Sequence, residues 1–172
     1  MPEIRDTDWA YVDGLVDGEG CIAVTRSFNA TRNRFYYGVA VVVVNRERPV
    51  LAWMQNLWDG WVVAMPDAGG NARQSWAWRS PTGSHAEPFL RGITPWLRIK
   101  QPQCENALAM VEVLKRSRYT LGPKFLPAEW LVAQEEHCWR QRELNHRGSQ
   151  QAFVAKPMHS PHKIHRQPAN LA

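Results

Sequence analysis

The sequence predicts an α+β fold in which helices cover one face of an antiparallel sheet and leave the other open. Two pairs of strand-like segments, each joined by a polar turn, alternate with stretches whose apolar residues recur at helical spacing. Hydrophobic residues make up 44% of the chain and include nine Trp and five Phe, enough to fill a core. The order is helix, two strands, helix, two strands, helix, then more helix. Apolar strand faces packed under helices make a layer with one sheet face exposed. A length of 172 residues supports one domain of ordinary size with some extra. The expected division is a domain over residues 1–147, with its core at about 8–116 and a helical extension at 117–147, and a tail over 148–172.

The first helix covers residues 9–17 and stops at Gly18-Glu19-Gly20, a doubled glycine with an acid between. Gly14 and Gly18 stand four apart, so they share one helix face and leave it bare. Such a face admits a second helix almost backbone to backbone. Glu19 sits where the helix ends, so two paired helices would bring two carboxylates side by side. That is an arrangement for holding a divalent metal.

Residues 21–27, small and β-branched, suit a strand. A polar turn over 29–34 leads into residues 35–44, rich in Tyr and Val, and the two segments form a hairpin. Residues 45–49 open the second helix, with Pro49 at its first position. Val50, Leu51, Met54, Leu57 and Trp58 give that helix a buried face, and Gly60 stops it. Residues 61–65 and 74–79 form a second hairpin across a loose loop. A helix over 84–97 follows, interrupted or kinked by Pro88 and Pro95. The helix over 103–116 carries Cys104, Ala107, Leu108, Val111 and Leu114 on one stripe, which is core. A last, highly charged helix covers 127–147. From Gly148 onward there are no acids, and the Pro-containing basic tail is expected to be disordered. His159, His162 and His165 stand three apart there without periodicity, and the tail is assigned no chemistry.

Lys plus Arg number 21 against 16 acids, a net charge of +5. This is a modest bias toward polyanions, which solubility would equally explain. The three cysteines are far apart and form no C-x-x-C pair, which argues against a zinc site or disulfide framework and fits a reducing cytosol. Residues 1–20 are acidic with a single Arg, the opposite of a signal peptide. The longest apolar run, 39–44, is far short of a membrane span. The expectation is a soluble intracellular protein with no membrane partner.

Residues 12–20, Val-Asp-Gly-Leu-Val-Asp-Gly-Glu-Gly, resemble the LAGLIDADG motif of the homing endonucleases. Gly14, Leu15, Asp17 and Gly20 match its letters. Val12 and Val16 are apolar replacements, Gly18 is a small one, and Glu19 is an acid for the final Asp. Asp13 departs from the small second position. The α-β-β-α-β-β-α order over roughly residues 8–116 is also that of the family's core, whose open sheet face straddles the DNA major groove. Asn45 occupies the family's polar position at the end of the second strand, and a helix N-cap is its purely structural reading. The segment 96–101, Trp-Leu-Arg-Ile-Lys-Gln, resembles the one that supplies a lysine to the active site. Lys100 is the match, with a surface lysine between two helices as the alternative.

The chain holds one such motif, because the nearest second copy, residues 57–61, lacks the following acid. The partner helix must then come from another subunit, giving a two-fold homodimer that reads a near-palindromic double-stranded DNA site. The resemblance implies a Mg²⁺-dependent endonuclease leaving 3′ overhangs, with Ca²⁺ supporting binding without cleavage. Glu19, Asn45 and Lys100 would be catalytic, Glu19 and Gly18 would hold the metal, and Gly14, Leu15, Asp17 and Gly18 would form the dimer interface. It places base readout on Ala23, Thr25, Ser27 and Asn29 in the first strand, Tyr36 and Gly38 in the second, and Ser75, Ala77 and Arg79 in the last. The basic residues Arg32, Arg34, Arg46 and Arg48 complete the DNA-facing set. This set has few long polar groups. Either the register is off by one, which would flip every side chain, or readout leans on shape and thymine methyl contacts. The runner-up is a nuclease-inactive intron maturase that binds RNA, or a DNA-binding regulator on the same fold. The compartment would be the cytoplasm of a prokaryote, or an organelle if the chain is intron-encoded.

Overall fold

A computed structural model describes residues 3–31, 33–66, 69, 73–120 and 128–146. Within them, helix α1 (Asp6–Glu19) runs straight into strand β1 (Gly20–Asn29), which turns back as β2 (Arg34–Asn45). Helix α2 (Arg48–Trp58) leads to the short strands β3 (Trp61–Ala64) and β4 (Trp76–Arg79). Helices α3 (Glu87–Ile93), α4 (Gln101–Thr120) and α5 (Ala128–Asn145) follow. The four strands form one antiparallel sheet in the order β1-β2-β4-β3. The tail over 148–172, with its three histidines, lies outside the described residues.

Alternation in the sheet decides which side is core. Ile22, Val24, Val39, Val41, Val43 and Trp78 are buried and join the helices in one apolar cluster. Residues directly opposite one another share a face, and the pairs Ile22↔Val41, Val24↔Val39 and Val43↔Trp78 are all core pairs. The other face is the open one. Its side chains are partly or fully exposed except for Ala77, which is wedged between Val44 and Val63.

An aromatic cluster fixes α1 on this layer. Trp9 lies 5.0 Å from Trp58 and 6.0 Å from Phe89, and Phe89 lies 5.0 Å from Trp78. Gly92 of α3 must be bare here, because a Cβ would come within 2.3 Å of the Trp9 ring. Val12 and Val16, both fully buried, continue the same face of α1 onto the sheet. Each aromatic pair contributes about 0.5–1.5 kcal/mol beyond area burial, so the direction in which α1 points is firmly held.

The order of elements is the one the sequence predicts, with two local differences. The segment 84–97 is not one kinked helix but a 3₁₀ turn over Gly83–Ala86 followed by α3. Pro88 falls in the first turn of α3, where its missing N–H costs nothing, so it starts a helix and does not bend one. Helix α1 begins three residues early, at Asp6, because the Asp8 carboxylate accepts the Arg5 backbone N–H at 3.0 Å and closes the first turn ahead of Trp9.

Candidate functional site

The site is built around the exit of α1. Exposed Tyr11, Gly14 and Gly18 and half-buried Leu15 form one stripe on α1, opposite buried Val12 and Val16. A Cβ placed on Gly14 or Gly18 would meet nothing within 4 Å. Glycine within a helix costs about 1 kcal/mol relative to alanine, and no described residue requires either glycine to be bare. Gly20 differs: its Cβ would stand 2.6 Å from the Val16 carbonyl oxygen, so the helix-to-strand join closes only over glycine. Exposed Glu19 stands at that join.

Asp17, which the resemblance puts in the dimer interface with Gly14, Leu15 and Gly18, does not lie on that exposed stripe. Its side chain is 9% exposed and turned inward, toward the segment that precedes α4. The Arg98 and Ile99 N–H groups each donate to Asp17 Oδ2 at 2.9 Å, and the Lys100 N–H donates to Oδ1 at 2.9 Å. Burial acts to raise this carboxyl, but these three N–H donors and the Lys100 charge hold it below its ordinary value. Lys100 is no surface lysine: it is 5% exposed, and its Nζ donates to the Asp17 carbonyl oxygen. The last turn of α1 carries no basic residue, so Lys100 supplies a cation to the negative end of that helix from a distant part of the chain. Neighbouring Asp13 has a buried Oδ1 that no donor among the described residues reaches. Burial, then the charge of Asp17, pushes the Asp13 carboxyl up, with Arg98 opposing.

Asn45 lies two residues beyond Val43, the partner of Gly20, and so at the sheet end where α1 exits. Its Oδ1 accepts the Glu47 N–H at 2.9 Å, an Asx turn ahead of α2 that leaves its amide NH₂ as the group it can offer. The structure therefore gathers Asp17, Glu19 and Lys100 at one helix end and brings Asn45 to the same edge of the layer. Among the described residues no group of three or more His, Cys, Asp or Glu could hold a metal ion.

The open face starts beside this helix end. Pairing places Thr25 with Gly38, Ser27 with Tyr36 and Asn29 with Arg34, so the predicted readout residues of the first hairpin share that face. Ala77 and Arg79 join them through Val44 and Val42, and Ser75 continues their alternation one residue before β4. The register is not off by one. Arg34 stacks 4.5 Å over the Tyr36 ring and donates to its hydroxyl at 2.7 Å. Arg46 and Arg48 are exposed just past β2, and Arg48 lies 5.2 Å over the Trp76 ring. Arg32 lies outside the described residues. Sequence reasoning missed Cys21, Ala40, Val42, Val44, Trp61 and Val63 on the same face. The unbroken apolar run of β2 carries no polarity contrast from which a face can be told.

No family model matches the sequence, and no curated protein does. Solved structures do. The homing endonuclease I-CvuI in complex with its target matches with TM-score 0.66 at 16% identity, over 86% of this chain and 87% of that one. The archaeal intron-encoded homing endonuclease I-Vdi141I, complexed with DNA, matches with TM-score 0.66 at 14% identity, over 86% and 89%. The LAGLIDADG homing endonuclease I-GzeII in complex with a DNA target matches with TM-score 0.61 at 12% identity, over 79% of this chain and 44% of that one.

Proposed function

From a chain folded as the LAGLIDADG homing endonucleases are folded, we propose a site-specific DNA endonuclease that works as a homodimer. The observation that carries the reading is the exit of α1. An exposed stripe bared by Gly14 and Gly18 ends at exposed Glu19, beside a lysine tied to the same helix end and at the threshold of an open sheet face. Two copies joined along that stripe would set two Glu19 carboxylates together. The likeness to half the length of I-GzeII and to nearly all of I-CvuI supports one chain as half of a working unit.

Mg²⁺ would suit this donor set. Glu19 offers a hard carboxylate oxygen, and the Gly18 carbonyl, in the last turn of α1, lacks an N–H ahead of it in the helix. Those two groups would hold the ion, with the partner's copies opposite. When bound, the ion polarises the scissile phosphate and offsets the charge of the leaving 3′ oxygen. Lys100, held in place by Asp17, would balance charge developing on the phosphate. The Asn45 amide would order water at the cleaved bond. The open sheet face would lie along the groove, with Arg34, Arg46 and Arg48 near the phosphates. Cutting both strands across the minor groove would leave 3′ overhangs.

Glu19→Gln tests this reading. The change keeps the shape and removes the charge that would hold the metal, so cleavage should vanish while the duplex stays bound, as with Ca²⁺ in place of Mg²⁺. A Glu19→Gln protein cutting near the wild-type rate would place the chemistry elsewhere. A wild-type protein that binds a duplex in Mg²⁺ and never cuts it would favour a nuclease-inactive role.

A further inference from the structure

The open face is not uniform from one end to the other. In cross-strand rows, the end beside Glu19 reads Val44–Ala77–Val63, then Cys21–Val42–Arg79–Trp61, then Ala23–Ala40. The far end reads Thr25–Gly38, Ser27–Tyr36 and Asn29–Arg34. Every row of the far end offers a hydroxyl, amide or guanidinium. In the near end, Arg79 is the one long polar side chain among the described residues, and it stands between Val42 and Trp61. Strands advance ~3.4 Å per residue, close to the ~3.4 Å rise of a base pair. The apolar stretch from Val44 to Ala40 therefore faces on the order of four base pairs.

Side chains ending in methyl groups cannot hydrogen-bond a base edge. One base feature in the major groove does suit them, the methyl on C5 of thymine. We propose that the inner base pairs of each half-site, those nearest the cleaved bonds, are identified by pyrimidine 5-methyl groups packed on Ala23, Ala40, Val42, Val44 and Val63. The outer base pairs are identified by hydrogen bonds from Ser27, Asn29, Arg34 and Tyr36. The inference rests on the reading of the chain as a DNA-binding endonuclease and names what that face selects: thymine, or 5-methylcytosine, within the inner segment.

The test uses the intact protein. Duplexes bound in Ca²⁺ are recovered from a randomised library, and the consensus half-site is resynthesised with deoxyuridine in place of single thymidines. Uracil keeps pairing and duplex shape and removes only the methyl. Inner substitutions should weaken binding roughly three- to fourfold per methyl, the effect of withdrawing one buried methyl-sized group, and outer ones should leave it unchanged. At an inner cytosine, C5 methylation should tighten binding by a similar factor. Equal affinity for inner uracil and thymine, even in an A·T-rich consensus, would overturn the inference in favour of shape readout. A library that yields no bound duplex would instead remove the endonuclease reading beneath it.

Discussion

At the level of single residues, the α1 exit joins two acids of opposite environment. Asp17 is surrounded by donors and Asp13 is not. Because the folded state raises the Asp13 carboxyl, its ionisation counts against folding above that pKa and has no effect below the unfolded value of about 3.9. Asp13→Asn should therefore raise the urea midpoint at pH 7, with the gain shrinking to nothing as pH falls below about 4. A midpoint lowered at pH 7 would mean that Arg98 uses the Asp13 charge. For Lys100→Met, single-turnover cleavage should fall tenfold or more while affinity for the duplex changes little, because the cation matters most where phosphate charge builds up. The variant also leaves the Asp17 carbonyl oxygen without its donor, at about 1–3 kcal/mol of stability. Cleavage should therefore be measured well below the melting temperature. Glu19 and Lys100 were singled out in the sequence by a nine-residue motif and by a six-residue segment some eighty positions further on, and the structure brings the two to one helix end. The inward turn of Asp17 was not legible there, since its three donors come from residues 98–100, some eighty positions away.

At the level of elements, the join of α1 and β1 decides where Glu19 stands. A Cβ on Gly20 would press 2.6 and 2.7 Å onto the oxygen and Cα of Val16, backbone atoms that cannot step aside. Gly20→Ala should cost about 1–3 kcal/mol or more, read by chemical denaturation, and should shift Glu19 and depress cleavage beyond what the stability loss explains. A Gly20→Ala protein with unchanged stability and rate would show that the join has slack. Element order and the two hairpins were legible from helical spacing, strand-like composition and polar turns, whereas the pairing of β2 with β4 that joins the hairpins into one sheet was not. The division of residues 83–97 into a 3₁₀ turn and a short helix was not legible either. It depends on Phe89, Leu90 and Ile93 finding the core and on Gly92 seating Trp9, which are contacts far from the local sequence. The open face was half legible. β1 places Thr25, Ser27 and Asn29 at alternate positions, whereas Val39–Val44 has no polar residue, and only the pairing with β1 and β4 tells its two sides apart.

At the level of the whole molecule, the bare stripe of α1 separates two assemblies. In a lone chain, Gly14→Ala or Gly18→Ala fills open space and improves helix propensity, so stability would rise by up to about 1 kcal/mol. In the proposed dimer the same methyl meets the facing helix and stability falls. Gly18→Leu sharpens the contrast, because overpacking costs about 1–3 kcal/mol or more. Wild type should sediment as a dimer and Gly18→Leu as a monomer or an unfolded chain. A wild type that is monomeric at micromolar concentration, both free and on DNA, would rule out the dimer.

Helix α5 has a consequence of a different kind. Strand β1 is ten residues long and lies at the edge of the sheet. Two α5 side-chain amides, Gln141 Nε2 at 2.6 Å and Asn145 Nδ2 at 2.9 Å, donate to the Ile22 carbonyl oxygen, and Cys138 Sγ lies 3.8 Å from that of Val24. These are the backbone acceptors that a stray strand would otherwise seek. By occupying them, α5 shields the Ile22–Val24 stretch of that edge from a strand offered by another copy of the chain.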